Sequence, residues 1–153
     1  LLLADWEIKR AIELKQLTVD PFDETLIQPN GIDIRLGSEF KFIGKQSKFT
    51  APSVVIKPHE TLLCTSYERL RMPRDLTGLI CLKSTFARKG LTAPTTVVDS
   101  GYEGRLTLVL TAGPLEIQLE VGQPIWYMLL IRSSPVEKPY TGKYQGIDTL
   151  AYS

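Results

Sequence analysis

Val97-Val98-Asp99-Ser100-Gly101-Tyr102-Glu103-Gly104-Arg105-Leu106-Thr107-Leu108-Val109-Leu110 sets an acid, an aromatic ring and two glycines in one short turn, then runs straight on as a strand. From Arg105 polar and apolar residues alternate, which predicts a strand with one buried face. Gly101 and Gly104 supply backbone freedom where the chain bends sharply or approaches a ligand closely. Asp99 follows two valines, so its carboxylate can be held at the mouth of a sheet, beside an aromatic ring that helps orient a water molecule. A hairpin turn with a solvated Asp99 fits the same segment.

Outward from this stretch the same kind of pattern recurs. Ile32-Ile34-Leu36, Phe40 to Ile43, Val54 to Ile56, Thr61 to Thr65, Gly78 to Leu82, Thr95 to Val98 and Ile125 to Ile131 all read as strands, with a Gly37-Ser38 break between the first two. Ten prolines and eleven glycines punctuate these runs, and many short strands with turn signals predict an all-β barrel or sandwich. Asp5 to Leu14 gives the one convincing helix pattern, capped by Asp5, with Ile8, Ala11, Ile12 and Leu14 on one side. The 153 residues are expected to form one domain, with a helical region at 1–20 and a polar C-terminal tail or lid at 135–153. That tail is either a frayed end or an arm that orders on a ligand.

Composition narrows the function classes. Lys plus Arg (18) almost balances Asp plus Glu (17), so no nucleic-acid partner is expected. No run of apolar residues is long enough for a membrane span, and a cytoplasmic location is expected. Cys64 and Cys81 lie among apolar neighbours and read as free buried thiols. With a single histidine, His59, no zinc site is expected and no protein metal ligands are assigned. The Cys-x-x-Cys pair of zinc-dependent base deaminases is missing.

Four stretches carry polar residues that strand packing does not require. In Asn30-Gly31-Ile32-Asp33-Ile34-Arg35-Leu36-Gly37, Asp33 and Arg35 share a face and are expected to pair. In Lys83-Ser84-Thr85-Phe86-Ala87-Arg88-Lys89-Gly90-Leu91, two hydroxyls and a guanidinium just after a strand suit a polyphosphate cradle, or simply cap a helix. The third is the Asp99 turn. The fourth, Lys138-Pro139-Tyr140-Thr141-Gly142-Lys143-Tyr144-Gln145-Gly146, offers cations, amides and aromatic faces for an anionic ligand.

Taken in order, these four stretches resemble the superfamily that joins trimeric dUTP pyrophosphatases with dCTP deaminases, and the likeness runs from about Asp5 to Gln145. The opening Asp5-Trp6-Glu7-Ile8-Lys9, the Asn30 stretch and Ser84-Thr85-x-Ala87-Arg88-x-Gly90-Leu91 resemble the deaminase branch. Val98-Asp99-Ser100-Gly101-Tyr102-x-Gly104 resembles the third dUTPase motif at least as well. The resemblance implies a distorted β-barrel of jelly-roll type, a homotrimer, and active sites at subunit interfaces.

In the deaminases of this superfamily, the strand after the turn carries a glutamate that shuttles protons during attack on cytosine. That position here is Val109, which can neither accept nor donate a proton. The resemblance then implies a dUTPase on a deaminase-like chain: hydrolysis of dUTP to dUMP and pyrophosphate, with Mg²⁺ bound mainly through the substrate triphosphate. Asp99 is the expected catalytic base. Ser84, Thr85 and Arg88 are expected to bind phosphate oxygens, partly from a neighbouring subunit, with Lys143 and Gln145 closing from the tail. Tyr102 is expected to pack on the deoxyribose, and the Leu91 to Val98 segment, with Thr95 near its centre, to read the uracil. Arg105 is either a further phosphate contact or a partner of Glu103, and the pairing is expected. The tail departs from both branches: Ile147 stands four residues after Lys143, where deaminases tend to carry another glutamine, and the glycine-rich phosphate lid of ordinary dUTPases is missing. A dCTP deaminase using another acid, a catalytically silent nucleotide-binding homologue and an interaction domain without nucleotide affinity remain open alternatives.

Overall fold

Alternating apolar residues become strands along most of the chain. The computed structural model describes residues 1–45 and 47–151; Gln46 and the last two residues of the expected tail, Tyr152 and Ser153, lie outside the described residues. The strands are Thr18–Asp20 (β1), Ile27–Gln28 (β2), Gly31–Phe42 (β3), Phe49–Thr50 (β4), Ser53–Ile56 (β5), Thr61–Arg71 (β6), Leu76–Leu82 (β7), Thr96–Val98 (β8), Glu103–Thr111 (β9), Ile117–Glu120 (β10) and Pro124–Arg132 (β11). Helices span Asp5–Glu13 (α1) and Ser84–Ala87 (α2).

One large sheet runs β1-β6-β3-β11-β7-β8, with β9 added on β6, while β5 and β10 form a separate pair. All of these pairings are antiparallel. The large sheet curls into a half-barrel, the expected all-β, distorted jelly-roll-like barrel fold with a short N-terminal helix. Register shifts between Leu36 and Phe40 of β3, and between Thr65 and Arg69 of β6, supply the bends that curl it. The Gly37-Ser38 break is therefore a bend inside one long strand and does not end it.

Inward positions of β3, β6, β9 and β11 meet in a single core that includes Ile32, Ile34, Leu36, Phe40, Leu62, Leu108, Leu110, Trp126 and Met128, all buried. Full burial of such side chains stabilises the fold by roughly 1.5–3 kcal/mol apiece. Helix α1 packs Ile8 and Ala11 into this core. Its N-cap is Ala4, not Asp5: Glu7 Oε1 accepts from the Ala4 N–H at 3.1 Å, and the Asp5 carboxylate accepts from the Trp6 N–H at 2.8 Å. Leu14 is exposed, so the apolar side of α1 ends one turn earlier than its spacing suggests. Cys64 is buried and Cys81 half-buried, both as free thiols.

Strand register decides the ion pairs, and it corrects two expectations. Asp33 and Arg35 do not pair with each other. Lys83 Nζ lies 2.6 Å from Asp33 Oδ2, and Arg35 Nε lies 2.7 Å from Glu68 Oε1. Arg35 also stacks 4.6 Å over the Tyr67 ring. Burial pushes the Glu68 carboxyl above the ordinary carboxylate value, and the hydrogen bonds and charge of Arg35 oppose that rise. Glu103 pairs with Arg69 at 3.0 Å, while Arg105 Nε donates to the Tyr67 carbonyl at 3.3 Å.

Candidate functional site

The Asp99 turn joins two arms of the sheet. Strand β8 ends on β7, whereas β9 lies along β6, so Asp99 to Tyr102 crosses from one arm to the other and is not a hairpin. The outer edge of β8, the outward face of β9 and the C-terminal segment enclose a cavity of about 600 Å³. Alternation along β9 turns Leu106, Leu108 and Leu110 into the core. It leaves Arg105, Thr107 and Val109 on the cavity side, with Asp99 and Tyr102 at the turn end.

Gly101 and Gly104 have φ of +86° and +140°, conformations that favour glycine. Tyr102 is buried, and its hydroxyl donates to the Arg105 carbonyl at 2.7 Å. Burial, with a smaller contribution from Tyr140, pushes its phenol up to about 12, so it stays protonated at neutral pH. The Tyr140 ring meets it edge-on at 5.5 Å. Asp99 is exposed, and it also borders a second hollow of about 370 Å³ next to Lys138 and Tyr140.

The remaining expected site residues fall into separate groups. Thr95 is exposed and precedes β8; Thr96, Val97 and Val98 line the cavity in its place. Ser84 and Thr85 open helix α2 and Arg88 follows it, all three exposed and outside the lining of this cavity in the same chain. The N-cap of α2 is Lys83, so neither hydroxyl serves as the cap. Lys143 is exposed, 5.0 Å over the Tyr144 ring. Gln145 is committed to backbone: its Nε2 donates to the Gly101 carbonyl and its Oε1 accepts from the Glu103 N–H, both at 2.9 Å. Tyr140, Tyr144, Ile147 and Ala151 of the tail also line the cavity. The sequence reading assigns no role to Thr107, Ile147 or Ala151 as lining, and the period-two alternation of β9 could have given the first of them; Arg105, read there as a phosphate contact or a partner of Glu103, lines the cavity.

Among the described residues, no three of His, Cys, Asp and Glu gather as metal ligands. Asp99 is the only carboxylate among the described lining residues of the cavity. That donor set is compatible with a Mg²⁺ ion that arrives on a triphosphate and keeps most of its water; it is not a protein cage. No helix of the described residues is long and apolar enough to cross a membrane.

The cavity of about 600 Å³ thus lies at the seam of an antiparallel half-barrel, walled by an Asp-x-Gly-aromatic turn. The chain belongs to the dCTP deaminase-like family, which matches residues 2–133. It is 38% identical to a dCTP deaminase of Desulfurococcus amylolyticus over 164 aligned positions, covering 95% of this chain and 91% of the relative. It is equally 38% identical to a probable deoxyuridine 5′-triphosphate nucleotidohydrolase of Sulfolobus islandicus rod-shaped virus 1 over 147 positions, covering 95% and 93%. Among solved structures, the 2′-deoxycytidine 5′-triphosphate deaminase of Agrobacterium tumefaciens superposes with a TM-score of 0.75 at 18% identity. The match covers 87% of this chain but only 48% of that one, so this chain spans about half its length. The dUTPase of Staphylococcus aureus phage phi11 superposes with a TM-score of 0.55 at 17% identity, covering 83% and 94%. Members of the family are enzymes acting on deoxynucleoside triphosphates.

Proposed function

We propose that the protein is a dUTP diphosphatase, converting dUTP to dUMP and pyrophosphate. The observation that carries this reading is Val109 on the cavity face of β9, with Asp99 as the one carboxylate among the described lining residues. Deamination of cytosine needs a group that moves protons at the base, and a valine there has none to move. Alignment length supports the same branch. For the same 95% of this chain, the deaminase alignments run over 161 to 166 positions and the viral dUTPase alignment over 147. The deaminases thus carry residues that this chain lacks, and the viral protein carries hardly any.

In the proposed reaction, Asp99 orients a water molecule and takes its proton as the oxygen attacks the α-phosphorus in line. Exposure at the turn leaves the Asp99 carboxylate free to do so. Asp99, the one carboxylate among the described lining residues, would stand nearest a Mg²⁺ ion carried on the substrate's phosphates, and that ion would supply charge neutralisation there. Ser84, Thr85 and Arg88 bind phosphate oxygens of a site in an adjoining subunit of a homotrimer, which accounts for their exposure away from their own cavity. Lys143 adds a cation from the tail. The exposed part of the Tyr102 ring packs on the deoxyribose. The outer edge of β8, beside Thr95, presents backbone groups to the uracil, and fixed amides discriminate between base edges better than an apolar pocket does.

The test is to incubate the protein with Mg²⁺ and either dUTP or dCTP, assaying pyrophosphate and ammonia separately. Pyrophosphate from dUTP without ammonia from dCTP is expected. Ammonia from dCTP would instead make the chain a deaminase with an unrecognised acid, and binding of dUTP without cleavage would make it a silent homologue.

A further inference from the structure

The tail is fastened to its own chain by more than the polar residues that first draw attention to it. The Arg105 N–H donates to the Ile147 carbonyl at 3.0 Å, and the Gly146 N–H to the Glu103 carbonyl at 2.8 Å, so the tail adds to the free edge of β9. The Tyr140 N–H reaches the Ser100 carbonyl at 2.9 Å, and the Ala151 N–H reaches Thr107 Oγ1 at 2.8 Å. Leu150 is buried. The turn glycines make room for this docking: a Cβ on Gly101 would lie 2.5 Å from Pro139 Cβ, and one on Gly104 would lie 2.5 Å from the Ile147 carbonyl oxygen.

One side chain of the barrel ties the two layers together. Arg69, on β6, lies 2.9 Å through Nε from Asp148 Oδ1 of the tail and 3.0 Å through Nη1 from Glu103 Oε1 of β9. Arg69 does not line the cavity. We propose that Arg69 is a positioning residue: by clasping Asp148 against Glu103 it holds the tail over the cavity of its own chain, so that Tyr140, Tyr144 and Ile147 form a standing wall for the substrate. Gln145 belongs to this fastening and does not touch substrate. The proposal rests on the reading of this cavity as the nucleotide site, and it assigns the tail to the subunit that carries it.

Both carboxylates and the guanidinium are partly exposed, so loss of the clasp weakens tail docking by roughly two- to five-fold, the range of exposed pairs. Amide hydrogen exchange of Gly146 and Arg105 is compared, without nucleotide, in the parent, Asp148→Ala, Arg69→Ala and Arg69→Lys. Exchange of both amides is expected to quicken two- to five-fold in the two alanine variants and less in Arg69→Lys. In the same variants KM for dUTP rises by a similar factor while kcat stays within two-fold; a general loss of folding would lower kcat and melting temperature together. Unchanged exchange in Asp148→Ala overturns the clasp, as does quickened exchange with an unchanged KM. If the parent fails to hydrolyse dUTP, the proposed function falls, and the exchange rates still decide whether the clasp exists.

Discussion

Asp99 and Val109 line one cavity from the two ends of a single turn-and-strand unit, the carboxylate at the crossing from β8 and the valine on the outward face of β9. The only acid of the described lining therefore stands at the turn, and the strand position from which a proton could be delivered to a base is hydrocarbon. The proposed chemistry at phosphorus rests on that separation.

Replacing Asp99 with Asn keeps the shape of the turn and removes the proton acceptor. Turnover of dUTP is expected to fall by about 100- to 10,000-fold, the usual contribution of a general base. Titration calorimetry with a non-hydrolysable dUTP analogue is expected to give near-parental affinity. Hydrolysis by this variant at the parental rate would remove Asp99 from the reaction.

Restoring an acid on β9 is expected to be insufficient for deamination. Val109→Glu places a carboxylate on the cavity face without the hydrogen bonds that tune and aim it, so no ammonia is expected from dCTP. An enzymatic ammonia assay checks this, and ammonia above the parental background would show that the β9 acid suffices.

The buried Arg35–Glu68 pair makes a prediction about stability. Glu68→Gln keeps an oxygen that accepts from Arg35, so in acid, where the parent carboxyl is protonated, it is expected to cost only about 1 kcal/mol, measured by urea unfolding. Its pH dependence has a definite sign. The folded-state value of Glu68 lies above its unfolded value of about 4.5, so the folded protein binds more protons across that interval and the carboxyl's ionisation contribution is greatest in acid. The stability advantage of the parent over Glu68→Gln is therefore expected to shrink as pH rises through the folded value. An advantage that grew with pH would mean that attraction to Arg35 outweighs burial.

The fold was legible because apolar alternation at Ile32-Ile34-Leu36, Thr61 to Thr65 and Leu106 to Leu110 is a local signal, and so was the Asp99 turn with its glycines. The partners of the charges were not. Asp33 meets Lys83 and Arg35 meets Glu68 through the register of strands distant in sequence, and no local pattern encodes that register. The run Tyr67-Glu68-Arg69 conceals the middle of β6 because a charged residue in a strand reads as solvent-facing, whereas the bend there turns Glu68 fully inward. Helix α1 lacks a polar N-cap since Glu7 reaches back to the Ala4 N–H. The tail was legible as a segment rich in polar groups, but its commitment to β9 depends on close approach to Gly101 and Gly104, visible only once both segments are in place.

The most direct test of the central claim is a single-turnover reaction with dUTP in H₂¹⁸O, followed by mass spectrometry of both products. Attack of an Asp99-activated water on the α-phosphorus predicts one ¹⁸O in dUMP and none in the pyrophosphate. Label in the pyrophosphate, or release of inorganic phosphate in place of pyrophosphate, would contradict it.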